Sequence, residues 1–219
     1  MKRIDENMMQ VVGVLESAPV LDHTTNDGVK QYAAVIRTQR ISGVWDRIPM
    51  LAGQDRLPAG LQGGETVEAL GEARTFDQFL PDGKRRLIVR MHVELLRQVA
   101  ADTPHEDRVW LEGEICRKPV FRVTPLGKRI CDVMVAVNRA GGSSYLPCIA
   151  WKGWALVCAR LPVGQRLALK GRMQSRTYNK KLPDGSAEER TAYEVSAYYL
   201  EAKDGKTAVS VRPEQKPEL

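Results

Sequence analysis

The 219-residue chain has no apolar run approaching 18 residues, only four cysteines and only three histidines. Each shortage excludes something. Without a long apolar run there is no membrane-spanning helix to expect, and the opening MKRIDENMMQ carries charges where a signal peptide needs its apolar region, so a cytoplasmic chain is expected. Cys116, Cys131, Cys148 and Cys158 are 15, 17 and 10 residues apart with no C-x-x-C pair, and His23, His92 and His105 lie far from one another. That spacing fits no zinc site, and the cysteines read as reduced thiols of a core. General acid–base or nucleophilic catalysis needs a converging Ser/His/Asp set, a carboxylate pair or a metal cage, and no such set is evident. No catalytic residue, metal or cofactor is therefore expected.

What is present is a charge imbalance. The formal net charge is +6, but residues 1–105 hold 13 Lys+Arg against 14 Asp+Glu, whereas residues 106–219 hold 20 against 13. Aromatics follow the positive charge. Tyr32, Trp45, Phe76 and Phe79 lie in the first half, against Trp110, Phe121, Tyr145, Trp151, Trp154, Tyr178, Tyr193, Tyr198 and Tyr199 in the second. Basic residues with interleaved aromatics suit a surface that tracks a phosphate backbone while bases stack on it, and they equally suit a solvated basic face.

The chain also repeats itself at a period of about 100 residues. VVGVLESAPV (11–20) aligns with LEGEICRKPV (111–120), matching Gly13 with Gly113 and Pro19 with Pro119. IPMLA (48–52) aligns with LPCIA (146–150), GETVEALGEARTF (64–76) with GQRLALKGRMQSRTY (164–178), and LPDG at 80–83 with LPDG at 182–185. Four pairs in the same order imply two copies of one domain. Residues 1–102 form the first, 103–203 the second, and 204–219 a short flexible tail.

In the second copy, stretches rich in β-branched and aromatic residues predict strands over 109–116, 129–137, 145–150, 165–174 and 191–200, separated by turn sequences such as PLGK, RAGG and LPDG. Between the third and fourth, WKGWALVCARL places Trp154, Val157, Cys158 and Leu161 at helical spacing, and Pro162 and Gly164 end the helix. Five strands with a helix after the third is the order of the OB-fold, a five-stranded Greek-key barrel. The expected fold is therefore all-β, two tandem OB-folds. The corresponding stretch of the first copy, AGQDRLPAGLQGG, holds Pro58 and four glycines, so its helix is expected to be lost.

Read in order, LEGEICRKPVFR, MVAVNR, SSYLPCIAWKGWA, PVGQRLALKGRMQSRTY and AYEVSAYYLEA resemble the bacterial single-stranded DNA-binding protein family, in the tandem OB-fold form of a few lineages. The resemblance covers the second half, and the first half shares it only through the repeat. It implies sequence-independent binding of single-stranded DNA in replication, recombination or repair, with a nucleoid-associated location. It also implies that Tyr145, Trp151 and Tyr178 are base-stacking residues. Tyr145 and Trp151 are six apart on one strand and so share a face. Phe121 joins the stacking set, although it and Trp110 read equally well as core; Trp154, on the helix stripe, reads as core. Arg122, Arg139, Lys152, Arg172 and Arg176 are the phosphate-contacting candidates. Trp45 and Phe76 with Arg74 form a weaker secondary site.

Two departures are visible. The family's usual Gly/Pro-rich tail with an acidic tip is replaced by KTAVSVRPEQKPEL, so recruitment of replication or repair proteins by that route is not expected. In the first copy Arg47 stands at the Tyr145 position and Gly53 at the Trp151 position. The rival reading is a primosomal or accessory OB-fold protein acting mainly through protein contacts. Since single-domain members act as tetramers, two domains per chain imply a homodimer.

Overall fold

The structure, a computed structural model, describes residues 4–79, 83–181, 185–204 and 207–209. The LPDG turns, apart from Gly83 and Gly185, and most of the expected tail lie outside the described residues. The chain divides into two compact units. The first comprises Met9–Arg108 and Met173–Glu194, the second Met1–Met8, Val109–Arg172 and Val195–Leu219.

The first unit contains β1 (Asn7–Leu15, of which residues 7 and 8 belong to the second unit), β2 (Val20–Thr24), β3 (Lys30–Gln39) and β4 (Trp45–Gly53). A single 3-10 turn, Gln54–Arg56, precedes β5 (Thr66–Phe79) and β6 (Arg85–Gln98). β1 pairs antiparallel with both β3 and β5, β3 with β4, and β5 with β6, while β4 and β6 run parallel through Met50↔Met91. These pairings close a five-stranded ring around Met9, Val11, Ile36, Ile48, Met50, Val67 and Met91, all buried. Each such side chain contributes about 1.5–3 kcal/mol through its removal from water. The glycine- and proline-rich stretch after β4 forms the 3-10 turn in place of an α-helix, as its composition predicts.

The second unit repeats the ring. Its elements are β7 (Glu106–Ile115), β8 (Val120–Val123), β9 (Arg129–Arg139), β10 (Gly142–Trp151), α1 (Gly153–Cys158), β11 (Arg166–Lys181), β12 (Ala187–Asp204) and β13 (Thr207–Val209), although residues 106–108 of β7, 173–181 of β11 and 187–194 of β12 belong to the first unit. β7 pairs with β9 and β11, β9 with β10, and β10 runs parallel to β12 through Cys148↔Val195. β11 and β12 are neighbours. Both copies therefore have the OB topology. Three details differ from the sequence expectation. β8 is an additional strand, β11 and β12 are longer than expected, and α1 has six residues with only Ala155 and Cys158 buried.

The unit boundaries are set by hydrogen bonds that sequence order does not suggest. Asp5 N–H donates to the Asn138 carbonyl at 2.9 Å, and the Asn138 backbone and side-chain amides return bonds to the Asp5 carboxylate at 2.9 Å each. Arg166 donates to the same carboxylate at 2.9 Å. Burial alone would push the Asp5 pKa up; the bonds from Asn138 and Arg166 outweigh it and hold the carboxyl below its usual value. At the other segment, Met173 N–H donates to Asp107 at 3.0 Å, Ser175 N–H to Asp46 at 2.7 Å, and Arg47 N–H to the Ser175 hydroxyl at 2.9 Å. Residues 173–194 thus belong with the first copy and residues 1–8 with the second.

Two backbone positions carry testable strain. At Gly113, matched by Gly13, an added Cβ would overlap the Ala136 carbonyl oxygen, because β7 crosses β9 with no room for a side chain. Gly142 meets nothing nearer than 3.6 Å. Gly113→Ala should cost about 1–3 kcal/mol by overpacking, while Gly142→Ala should stay within about 0.5 kcal/mol; urea unfolding of the two variants checks the difference. Lys152, between β10 and α1, has φ 53° and ψ −122°, the geometry of the first central residue of a type II′ turn, where glycine is preferred. Relieving strain of about 1–3 kcal/mol against a glycine entropy cost of about 0.5–1 kcal/mol, Lys152→Gly should raise stability by about 1 kcal/mol, read as a higher urea midpoint.

Candidate nucleic-acid interface

The β9–β10 ladder decides which side chains share a surface. Tyr145 lies opposite Ala136, Pro147 opposite Met134, Ile149 opposite Asp132 and Trp151 opposite Ile130. Residues directly opposite point to the same side of a sheet. The alternate set, Val133, Val135, Val137, Leu146 and Cys148, fills the barrel. Tyr145 and Trp151 therefore stand on one side of the ribbon, about 20 Å apart at 3.3 Å per residue; Met134, Ala136 and Pro147 form a half-exposed floor toward Tyr145, whereas Ile149 and Ile130 beside Trp151 are buried. Tyr145 is 50% exposed. Trp151 is half-buried, and its indole N–H donates to Ser196 Oγ at 2.9 Å, which fixes the ring.

The other expected residues are distributed more widely. Phe121 of β8 lies opposite Cys131, on the side of the ribbon away from Tyr145 and Trp151. Arg122 is on the Trp151 side, where it grips Asp132 through two bonds of 2.6 and 3.0 Å. Arg139 folds back onto its own hairpin, donating to the Ala140 carbonyl at 3.1 Å. Lys152 is exposed beside Trp151, and Arg172 is half-buried on β11. Tyr178 and Arg176, the guanidinium 5.5 Å from the ring centroid, lie on the part of β11 that belongs to the first unit. Trp154 packs edge-on against Tyr199 at 5.8 Å, with Lys170 5.9 Å from the Tyr199 ring.

In the first unit, Arg47 is held by Glu16 through bonds of 2.7 and 2.5 Å. Trp45 has Arg37 5.2 Å from its ring and His105 edge-on at 5.2 Å; burial pushes the His105 pKa down, so the imidazole packs uncharged at neutral pH. Arg90 lies 5.1 Å from the Phe76 ring, and Arg74 is bonded to Glu72 at 2.8 Å. These cations are engaged by neighbouring groups.

Sequence reasoning passed over Lys128 and Arg129. Both are exposed where β9 begins, and the Lys152 N–H donates to the Arg129 carbonyl at 2.9 Å. This brings the backbones of Arg129 and Lys152 together at the Trp151 end of the ribbon. The signal was in the PLGKR turn, read only as a turn. Charge by unit keeps the contrast: the second unit holds 17 Lys+Arg against 9 Asp+Glu, concentrated in residues 109–172 with 11 against 3, whereas the first unit holds 16 against 18.

Burial raises the thiol pKa of Cys131 to about 11 and of Cys158 to about 12, which keeps both protonated and poor as nucleophiles or ligands. Among the described residues no group of three or more His, Cys, Asp or Glu is placed to hold a metal ion, and no helix is long and apolar enough to cross a membrane.

Residues 106–202 match the Single-strand binding protein family. No curated protein matches the chain. Among solved structures, the single-stranded DNA-binding protein from Thermus aquaticus is 20% identical with a TM-score of 0.73, the alignment covering 95% of this chain and 98% of that one. A deletion variant of the same Thermus aquaticus protein aligns at 20% identity and a TM-score of 0.69, covering 93% and 97%. At that identity the likeness is one of fold, and it extends over both barrels. The family match falls on residues 106–202, the stretch that carries the Tyr145–Trp151 face, and the likeness to the solved structures shows that both barrels share their fold.

Proposed function

We propose that the chain binds and protects single-stranded DNA without regard to sequence, in replication, recombination or repair. The observation that carries this reading is the β9–β10 register, which sets Tyr145 and Trp151 on one face of the most basic stretch of the chain. Bases of any identity have a π-face, and each stacked base contributes about 1–3 kcal/mol. Lys128, Arg129 and Lys152 at one end of the ribbon supply the charge that the phosphates need. Duplex DNA is a poorer ligand, since paired bases cannot splay onto the aromatic rings.

Salt dependence provides the test. Phosphate contacts release counterions, so log affinity for a dT oligomer should fall linearly with log salt, with a slope of about −0.7 per phosphate neutralised. Lys152→Gly, which retains the turn, should reduce the magnitude of that slope by about 0.7. Titrations at several salt concentrations, followed by tryptophan fluorescence, give both quantities. An affinity in the micromolar range or weaker, indifferent to salt, would instead favour the accessory protein-binding role.

We further infer that the two units divide the labour, the second holding DNA and the first serving mainly in dimerisation. Three features support this: the charge contrast between the units, the Arg47–Glu16 pair where the other copy has Tyr145, and the absence of a side chain at Gly53. Tyr145→Ala with Trp151→Ala should remove about 2–6 kcal/mol, a factor of about 30 to 10⁴ in affinity. Trp45→Ala with Phe76→Ala should lower it far less. Equal losses in the two double variants, both folded by circular dichroism, would show that both units bind.

A further inference from the structure

Between Ile115 and Pro183 the chain carries 14 Lys and Arg but a single acidic residue, Asp132. That residue stands on the candidate binding face. It lies opposite Ile149 of β10 on one side and Val120 of β8 on the other, so it shares the surface of Tyr145 and Trp151. A carboxylate there repels any phosphate that passes. Arg122, opposite Ile130, reaches diagonally across the ladder and takes both carboxylate oxygens, at 2.6 and 3.0 Å. The pair is not a core feature, since the side chains are 47% and 40% exposed. Exposed ion pairs contribute little to folding, which leaves the stability of the barrel as a poor explanation for the arrangement.

A guanidinium binds a carboxylate and a phosphate with the same two-pronged geometry. We propose that Asp132 is a resident anion of the binding face: it holds Arg122 ready for a phosphate and competes with the DNA backbone for it. This rests on the single-strand binding reading and adds to it a residue that limits affinity. When a strand takes Arg122, the guanidinium gains a phosphate and Asp132 is left to recruit a solution cation. One counterion is released and another taken up, so the exchange is nearly silent in salt dependence. The carboxylate thereby weakens the grip at one point of the track without removing the cation that guides the strand.

The test compares the full-length chain with Asp132→Asn, Asp132→Ala and the double variant Arg122→Ala/Asp132→Asn, each checked for intact folding by circular dichroism, on a dT oligomer over a range of salt. Removing the carboxylate should tighten binding roughly two- to fivefold at a given salt concentration, the ratio that corresponds to one exposed ion pair. It should also steepen the log–log salt slope by about 0.7, because the counterion released at Arg122 is no longer offset. Asp132→Ala should match Asp132→Asn, since the two share only the loss of charge. The double variant should return the slope to the original value or below it. Unchanged slope and affinity in both single variants would overturn the proposal while leaving single-strand binding intact. If the unaltered chain showed no salt-dependent binding, the functional reading itself would fail, and this inference with it.

Discussion

A slip of one residue between β9 and β10 would turn one strand over relative to the other, because side chains alternate with a period of two. Either Val133, Val135 and Val137 would then meet water with Asp132 turned into the barrel, or Tyr145 and Trp151 would be driven inward beside the valines. The burial of the valines thus fixes the register, and the register in turn composes the outer face. The hairpin supports the same alignment: Gly141 takes φ 78° in the turn, and Ser143 Oγ donates to Asn138 Oδ1 at 2.9 Å just inside it. The core and the candidate site are two sides of one constraint.

The two copies show how far a surface can change while that constraint is kept. Both retain the crossing glycine at the first strand, the parallel closure of third and fifth strands, and a buried aliphatic interior. What differs lies outside. Where the second copy presents Tyr145, the first presents Arg47 tied to Glu16, and the helix that follows Trp151 is replaced by a 3-10 turn after Gly53. A barrel needs its inner residues to be apolar and its crossing points to be small; it asks nothing of its outer face, which is free to gain or lose a binding role.

This explains what could be read in advance. The repeat, the barrel order and the lost helix were legible because they rest on local chemistry: alternation, glycines at crossings and a proline in the wrong place for a helix. β8 was not, because VFRV is four residues long, exposed throughout, and has no apolar/polar alternation. The extensions of β11 and β12 were hidden for a related reason, since RTYNKK and AEER bury no continuous face. Among the site residues, the shared face of Tyr145 and Trp151 followed from their spacing. The engagement of Arg122 by Asp132, and the placement of Phe121 on the other side, depend on β8 and its register, which no pattern within the sequence announces.

The grouping of residues 1–8 with the second unit and 173–194 with the first bears on how the chain is made. During synthesis the first unit has all its contiguous residues once Arg108 has left the ribosome, yet Asp46, Arg47 and Asp107 must wait for partners that are encoded some 65 residues later. At roughly 5–20 residues per second, that interval is about 3 to 13 s. Through it Asp46, which is 1% exposed in the finished structure, has its Arg40 bonds of 2.6 Å but not those to Ser175. Neither half of the gene therefore encodes a complete unit.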